Sequence, residues 1–228
     1  MCLRKVWIAW RTSARSTKRF FSIDLLIIPA QDDLRRFFRP MKRCQWVNEG
    51  NPLYVKYHDE EWGRPSRDDA YLFELLLLEC FVAGLSWECV LSKREAFRAA
   101  FAGFDVQLVA GFGADEMERL MLNPGIIRHR GKIQAAISNA RVFLAIQREF
   151  GSFADYAWGF TGGKVIHEPW HHRTSSPVSD ALSRDLKRRG MRFVGSVTIY
   201  SWMQAVGIIC GHGQECARND GLCTSQAE

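Results

Sequence analysis

Four side chains that bind soft metal ions stand in two pairs near the ends of one long segment, Cys44 with His58 and His212 with Cys216. Thiolate and imidazole together suit a borderline-soft divalent ion such as zinc in a closed tetrahedral site. A shared site would tie the start of the segment to its end. Neither pair has the short C-x2-C spacing of a zinc finger. Spacing alone therefore leaves open whether these are ligands, or buried thiols and ordinary core or surface imidazoles. Cys2, Cys80, Cys89, Cys210 and Cys223 show no paired spacing. Seven cysteines without a secretory signal point to a reduced protein rather than a disulfide framework.

A second candidate is Glu79, a carboxyl set among Leu75, Leu76, Leu78, Cys80, Phe81 and Val82. Burying it is costly unless it is paired or hydrogen-bonded. It is either a helix-end residue that reaches solvent or a pocket carboxylate awaiting a ligand. Glu74 reads as an ordinary surface residue. Just after Glu79 come Gly84, Leu85, Ser86 and Trp87. The glycine allows close backbone approach, Leu85 could wedge into a base stack, and Trp87 offers a stacking face. Trp46, Tyr54, Tyr57 and Trp62 would extend this into an aromatic cage, although aromatic residues are more often core.

Two segments suit phosphate. Asn123-Pro124-Gly125 is followed by Arg128, Arg130 and Lys132 at the start of a long helical stretch. A glycine turn, a helix N-terminus and three bases in five residues are the physics of a helix-hairpin-helix element. The second is the basic run Ser183 to Gly195, a further phosphate contact or a solvated helix end.

These residues need a scaffold, and the pattern is helical. Asp68 and Asp69 lead into an almost wholly apolar helix from Ala70 to Ala83, ended by Gly84. Helical spacing also predicts helices over Trp87 to Phe101, Ala114 to Met121, Lys132 to Phe150, Asp180 to Arg189 and Val197 to Ile209. No alternation persists long enough to propose a sheet, so the expectation is an all-α bundle.

Charge is unevenly placed. Residues 1–40 carry nine Lys/Arg and three acids, which accounts for the whole net charge of +6. Residues 41–228 hold 22 bases and 22 acids, so the high pI is no argument for nucleic acid. Within that region, Glu49 to Glu88 has nine acids against three bases, and Arg119 to Arg192 thirteen bases against five acids. Such polarity could orient the protein on a polyanion, or mark two solvated faces. Residues 1–40 read as a poorly ordered basic extension, through an upstream start codon or a targeting-like segment. Residues 41–218 read as one helical domain and 219–228 as a flexible tail.

Taken in order, the segments closely resemble the DNA-3-methyladenine glycosylase I family, the Tag-type alkylpurine glycosylases. The matching pieces include Arg43-Cys44-x-Trp46-Val47, Tyr57-His58-Asp59-x-Glu61-Trp62-Gly63, Leu78-Glu79 and Ala83-Gly84-Leu85-Ser86-Trp87. Gly125 to Gln134, Lys187-x-Arg189-Gly190, Phe193-Val194-Gly195 and Met203-Gln204-Ala205 continue the series to about Cys216. The resemblance does not reach residues 1–40.

The resemblance implies a helix-hairpin-helix DNA glycosylase fold with one structural zinc at Cys44, His58, His212 and Cys216. It implies a base pocket of catalytic Glu79 with Tyr57 and Trp87, and Trp46, Tyr54 and Trp62 close by. Gly84 and Leu85 would fill the gap left by a flipped nucleotide. DNA contacts would come from these two residues together with Gly125, Arg128, Arg130 and Lys132. The implied reaction is monofunctional hydrolytic excision of 3-methyladenine from double-stranded DNA, without lyase activity. The absence of any Asp between Asp115 and Asp155 fits that expectation, because many helix-hairpin-helix glycosylases place a catalytic Asp there. The protein is expected to act as a cytoplasmic, bacterial-type monomer with no membrane partner. Alternatives are a broader alkylpurine range, or a zinc-stapled DNA-binding module without catalysis. The approach to the last ligands, Ile209-Cys210-Gly211-His212, departs from the family's usual Asn-Asp before the histidine, and Cys210 adds a thiol that could compete for metal.

Overall fold

The computed structural model describes residues 42–168 and 173–219. The expectations placed on residues 1–40 and on 220–228 lie outside the described residues. Among the described residues no helix is long and apolar enough to cross a membrane.

The central element is α2, Asp69–Val82, preceded by α1, Pro52–Glu60. Leu72, Phe73 and Leu75 to Leu78 are all fully buried, which explains why α2 is apolar around most of its circumference. The Asp68 carboxylate caps its N-terminus, and Gly84, at φ +80°, turns the chain away just past its end. α1 is also built from local signals, with Asn51 accepting from the Leu53 and Tyr54 N–H groups and Pro52 in its first turn.

The helix expected over Trp87 to Phe101 is broken into α3, Trp87–Leu91, and α4, Arg94–Ala100. The Ser92 hydroxyl donates to the Cys89 carbonyl at the break, the backbone competition that makes serine a poor helix-interior residue. α5, Val106–Ala110, and α6, Ala114–Leu122, lead to the long α7, Arg130–Phe150, and then α8, Phe153–Gly159. Asp69, in the first turn of α2, accepts from the Phe153 and Ala154 N–H groups and from Gln147. One carboxylate thus locks α2, α7 and the start of α8 together.

α9, Pro177–Arg188, and α10, Ser196–Ala205, form a second hairpin, and α10 packs on α2. The indole N–H of Trp202 donates to the Leu72 carbonyl across that contact. The all-α expectation needs one correction. β1, Ile166–His167, pairs in parallel with β2, Ile209–Cys210. Two-residue strands are too short to leave an alternation of period two in the sequence.

Candidate functional site

Cys44, His58, His212 and Cys216 come together in the fold. One donor atom from each lies within 4.8 Å of every other, and all four residues are buried. His212 Nδ1 is 3.5 Å from the sulfur of Cys44 and 3.5 Å from that of Cys216, and His58 Nε2 is 3.5 Å from Cys216 Sγ. Cys210, in β2, is not one of the four and is disulfide-bonded, which corrects the expectation of a free thiol competing for metal. Gly63 makes the cluster possible. Its φ is +78°, and a Cβ there would stand 2.7 Å from His212 Nε2. The ring is pressed against backbone on one edge and presents its other nitrogen to the thiols.

Beside the cluster lies an aromatic wall. Trp62 packs edge-on against His212 at 4.6 Å and nearly parallel to His58 at 6.1 Å. Trp46 touches Trp62, His58 and Tyr54 at 4.9, 5.3 and 5.3 Å between ring centres. Trp46 and Trp62 were expected in a pocket. Trp62 meets His58 and His212 of the metal-type cluster, while Trp46 meets His58 and also Tyr54, which links that wall to the second site.

The second site is centred on Glu79. Its carboxyl is buried, 6% exposed, with no hydrogen bond or ion pair among the described residues. Loss of solvent pushes its pKa up to about 8. Tyr57 is buried nearby, and its hydroxyl is raised well above its ordinary value by burial and then by the charge of Glu79. Tyr54 is pushed up to about 12 by burial and by the charges of Glu88 and Glu79. Trp87 tilts against Tyr57 with ring centres 5.2 Å apart. Its indole N–H is buried without an acceptor among the described residues. The site therefore combines an unpaired carboxyl, an unpaired N–H donor and π faces. Such a lining suits a flat, hydrogen-bonding, positively charged ligand.

Glu74 is not the surface residue its spacing suggested. It is 9% exposed and accepts from Arg94 at 2.6 Å and Arg98 at 2.8 Å, while Arg94 also reaches Glu61. Arg94 draws the end of α1, α2 and α4 together. Sequence periodicity missed this because Glu74's partners, Arg94 and Arg98, lie in another helix, α4.

The expected phosphate contacts divide. Arg128 and Arg130 are exposed, and Arg130 pairs with Glu118 at 2.7 Å. Lys132 is a correction. It is 6% exposed, and its ammonium donates to the carbonyls of Phe81 at 2.9 Å and Ala83 at 2.6 Å. It satisfies orphan carbonyls at the end of α2 and so holds the Gly84–Leu85 turn. Leu85 at that turn is 42% exposed. The Gly125 N–H is bonded to Asn123 Oδ1 at 2.8 Å, and the His129 side chain caps α7 by accepting from the Lys132 N–H. At the α9–α10 hairpin, α10 starts after Gly195 with no side-chain cap. A Cβ at Gly195 would meet nothing within 4 Å. The turn before it is pinned by the buried Asn139, whose amide bonds both the N–H and the C=O of Arg192.

Comparison with known proteins finds relatives over most of the chain. The family model described as methyladenine glycosylase matches residues 46–219. The DNA-3-methyladenine glycosylase 1 of Escherichia coli (strain K12) is 47% identical over 184 residues, 77% of this chain and 96% of that protein. A crystal structure of 3-methyladenine DNA glycosylase I superposes with a TM-score of 0.74 at 48% identity, covering 77% of this chain and 98% of that one. The Staphylococcus aureus enzyme, solved for the structural basis of its 3-methyladenine recognition, gives a TM-score of 0.74 at 37% identity, covering 78% of this chain and 96% of that one.

The mostly helical fold is the one these DNA glycosylases share. The chain belongs to the methyladenine glycosylase family.

Proposed function

We propose that the Glu79 pocket excises 3-methyladenine from DNA by hydrolysing the bond between base and sugar, leaving an abasic site for base excision repair. The observation that carries this reading is the buried, unpaired Glu79 carboxyl, whose charge is felt at Tyr57, itself packed on Trp87, in a chain of this family. Methylation at N3 turns the nucleotide's adenine into a cation with a weakened glycosidic bond. Little general acid is then needed. The enzyme has to extrude the base, stack it and favour its charge.

Each side chain has a task. Trp87 and Tyr57 give π faces to the cation. Glu79 accepts a hydrogen bond from the purine edge, and its negative charge acts at close range in a dry site. The Trp87 N–H offers a donor to the same ligand. An empty pocket keeps Glu79 protonated at neutral pH, and an entering cation favours the ionised form, so binding releases a proton. Neutral adenine lacks the charge that makes this exchange favourable. Water attacks the sugar carbon as the base leaves.

On the DNA side, Leu85 at the Gly84 turn fills the space left by the extruded nucleotide, and Arg128 and Arg130 lie against phosphate. Of the two hairpins, α9–α10 is the better furnished for a phosphate, because α10 starts uncapped at an open glycine beside exposed Arg192 and Val197. This is the reading we give the helix-hairpin-helix element. The partner is double-stranded DNA and the working unit a monomer.

The Cys/His cluster fits a structural zinc. Typical Zn–S and Zn–N bonds in a tetrahedron place sulfur and nitrogen about 3.6 Å apart, and three such pairs here stand at 3.5 Å. Two thiolates and two imidazoles form a closed donor set without an open position for substrate, so the ion supplies stability rather than chemistry.

Release of free base from N-methylpurine-containing DNA, with products separated by chromatography, tests the function. We expect 3-methyladenine from the wild type and sharply less from Glu79→Gln. Comparable release of 7-methylguanine would replace this reading with a broader alkylpurine range. No release from a folded protein would leave a DNA-binding module.

A further inference from the structure

We propose that Asp59, gripped by Arg43, is the positioning residue that fixes His58 as a metal ligand through Nε2; this deepens the zinc reading and rests on it. The His58 ring uses both nitrogens. Nδ1 stands 2.8 Å from Asp59 Oδ1, the distance of a strong N–H donation to a carboxylate. Nε2 faces Cys216 Sγ at 3.5 Å and accepts from the backbone N–H of Cys44 at 3.5 Å. A proton on Nδ1 leaves the Nε2 lone pair toward the thiols. A carboxylate behind a ligating imidazole sets its tautomer, holds its plane and raises its basicity.

Adjacent residues on a helix do not ordinarily face each other, so the Asp59 carboxylate must be held back onto its neighbour. Arg43 does this. Its Nε lies 3.0 Å from both carboxylate oxygens, and a terminal nitrogen lies 2.8 Å from Oδ2. Side-chain exposure is 20% for Arg43 and 11% for Asp59. Arg43 precedes Cys44 and Asp59 follows His58, so one ion pair brackets two ligands and ties their two segments together.

The test is competition for zinc between the full chain and a chromophoric chelator, with the cobalt(II)-substituted protein read by its visible absorption. Asp59→Ala is expected to bind zinc 10–100-fold more weakly and to show an altered cobalt spectrum. Asp59→Asn keeps an acceptor for Nδ1 but loses the ionic grip, and should weaken binding less. Arg43→Gln should resemble Asp59→Asn. If Asp59→Ala does not fold, the other two variants carry the test. Folded variants with wild-type affinity and wild-type cobalt spectrum would overturn the positioning role alone. A wild type that binds neither ion would overturn the zinc reading and this role with it.

Discussion

Tyr57 and His58 are consecutive, both buried, and turned to different sites: the Tyr57 ring lies 5.2 Å from Trp87 and the His58 ring 5.3 Å from His212. With Asp59 they are the only residues of α1 that are buried. The short helix is therefore held by what these three touch, and anchoring His58 also anchors the tyrosine of the pocket.

Metal removal should consequently be felt in both places. Stripping zinc with a thiol-reactive agent and a chelator is expected to lower Tm by about 10 °C, for a loss of a few kcal/mol in a domain of this size. Base excision should fall in parallel and return with added zinc. Calorimetry and base release on one preparation check this, and an unchanged Tm would remove the structural ion from the account.

Glu79 predicts opposite pH effects on stability and activity. Its folded pKa of about 8 lies above the ordinary 4.5. Below 4.5 both states hold the proton and there is no effect. From 4.5 to about 8 the unfolded chain loses the proton first, so the native state becomes less stable as pH rises, by up to roughly 5 kcal/mol. Glu79→Gln should then melt higher than the wild type at pH 8 and alike near pH 4.5, while losing at least about 100-fold in excision. For the wild type, kcat/KM on a permanently cationic lesion should rise with pH up to about 8. Thermal scans and a pH–rate profile decide both.

Gly63→Ala should damage the cluster at its tightest contact. The added methyl would lie 2.7 Å from His212 Nε2 at a φ of +78°. The expected outcome is loss of bound zinc measured by elemental analysis, with a stability cost of about 2–4 kcal/mol in a denaturant titration.

Lys132 and Arg128 separate packing from phosphate binding. Lys132→Met leaves the Phe81 and Ala83 carbonyls unpaired and should cost about 1–3 kcal/mol of stability, with little change in the salt dependence of DNA binding. Arg128→Ala should leave Tm alone and reduce the slope of log K against log salt by about 1. Fluorescence titrations over a salt series read the difference.

Much of this was legible in the sequence because it depends on local rules. The apolar run of α2, its acidic start and its glycine stop are all present in the fold, and so is the long α7. Other features depend on tertiary geometry. The α3–α4 break rests on one serine hydroxyl, and β1–β2 on a two-residue pairing. Periodicity separated Glu74 from Glu79 by helix face, yet both are buried, one among arginines and one alone. The basic run at Arg128 to Lys132 did not reveal that the lysine turns inward. For Arg43 and Asp59 a signal was present: each adjoins a metal-type ligand and they carry opposite charge.

The order in which the cluster's parts leave the ribosome has a consequence. Cys44 and His58 are made early, but their thiol and imidazole partners stand 158 and 168 residues further along the chain. Closure of the cluster is thus a late event, available only once Cys216 has emerged. Until then α2 and α7 must collapse on their own apolar faces, and a chain cut short before Cys216 would be left open for proteolysis to find.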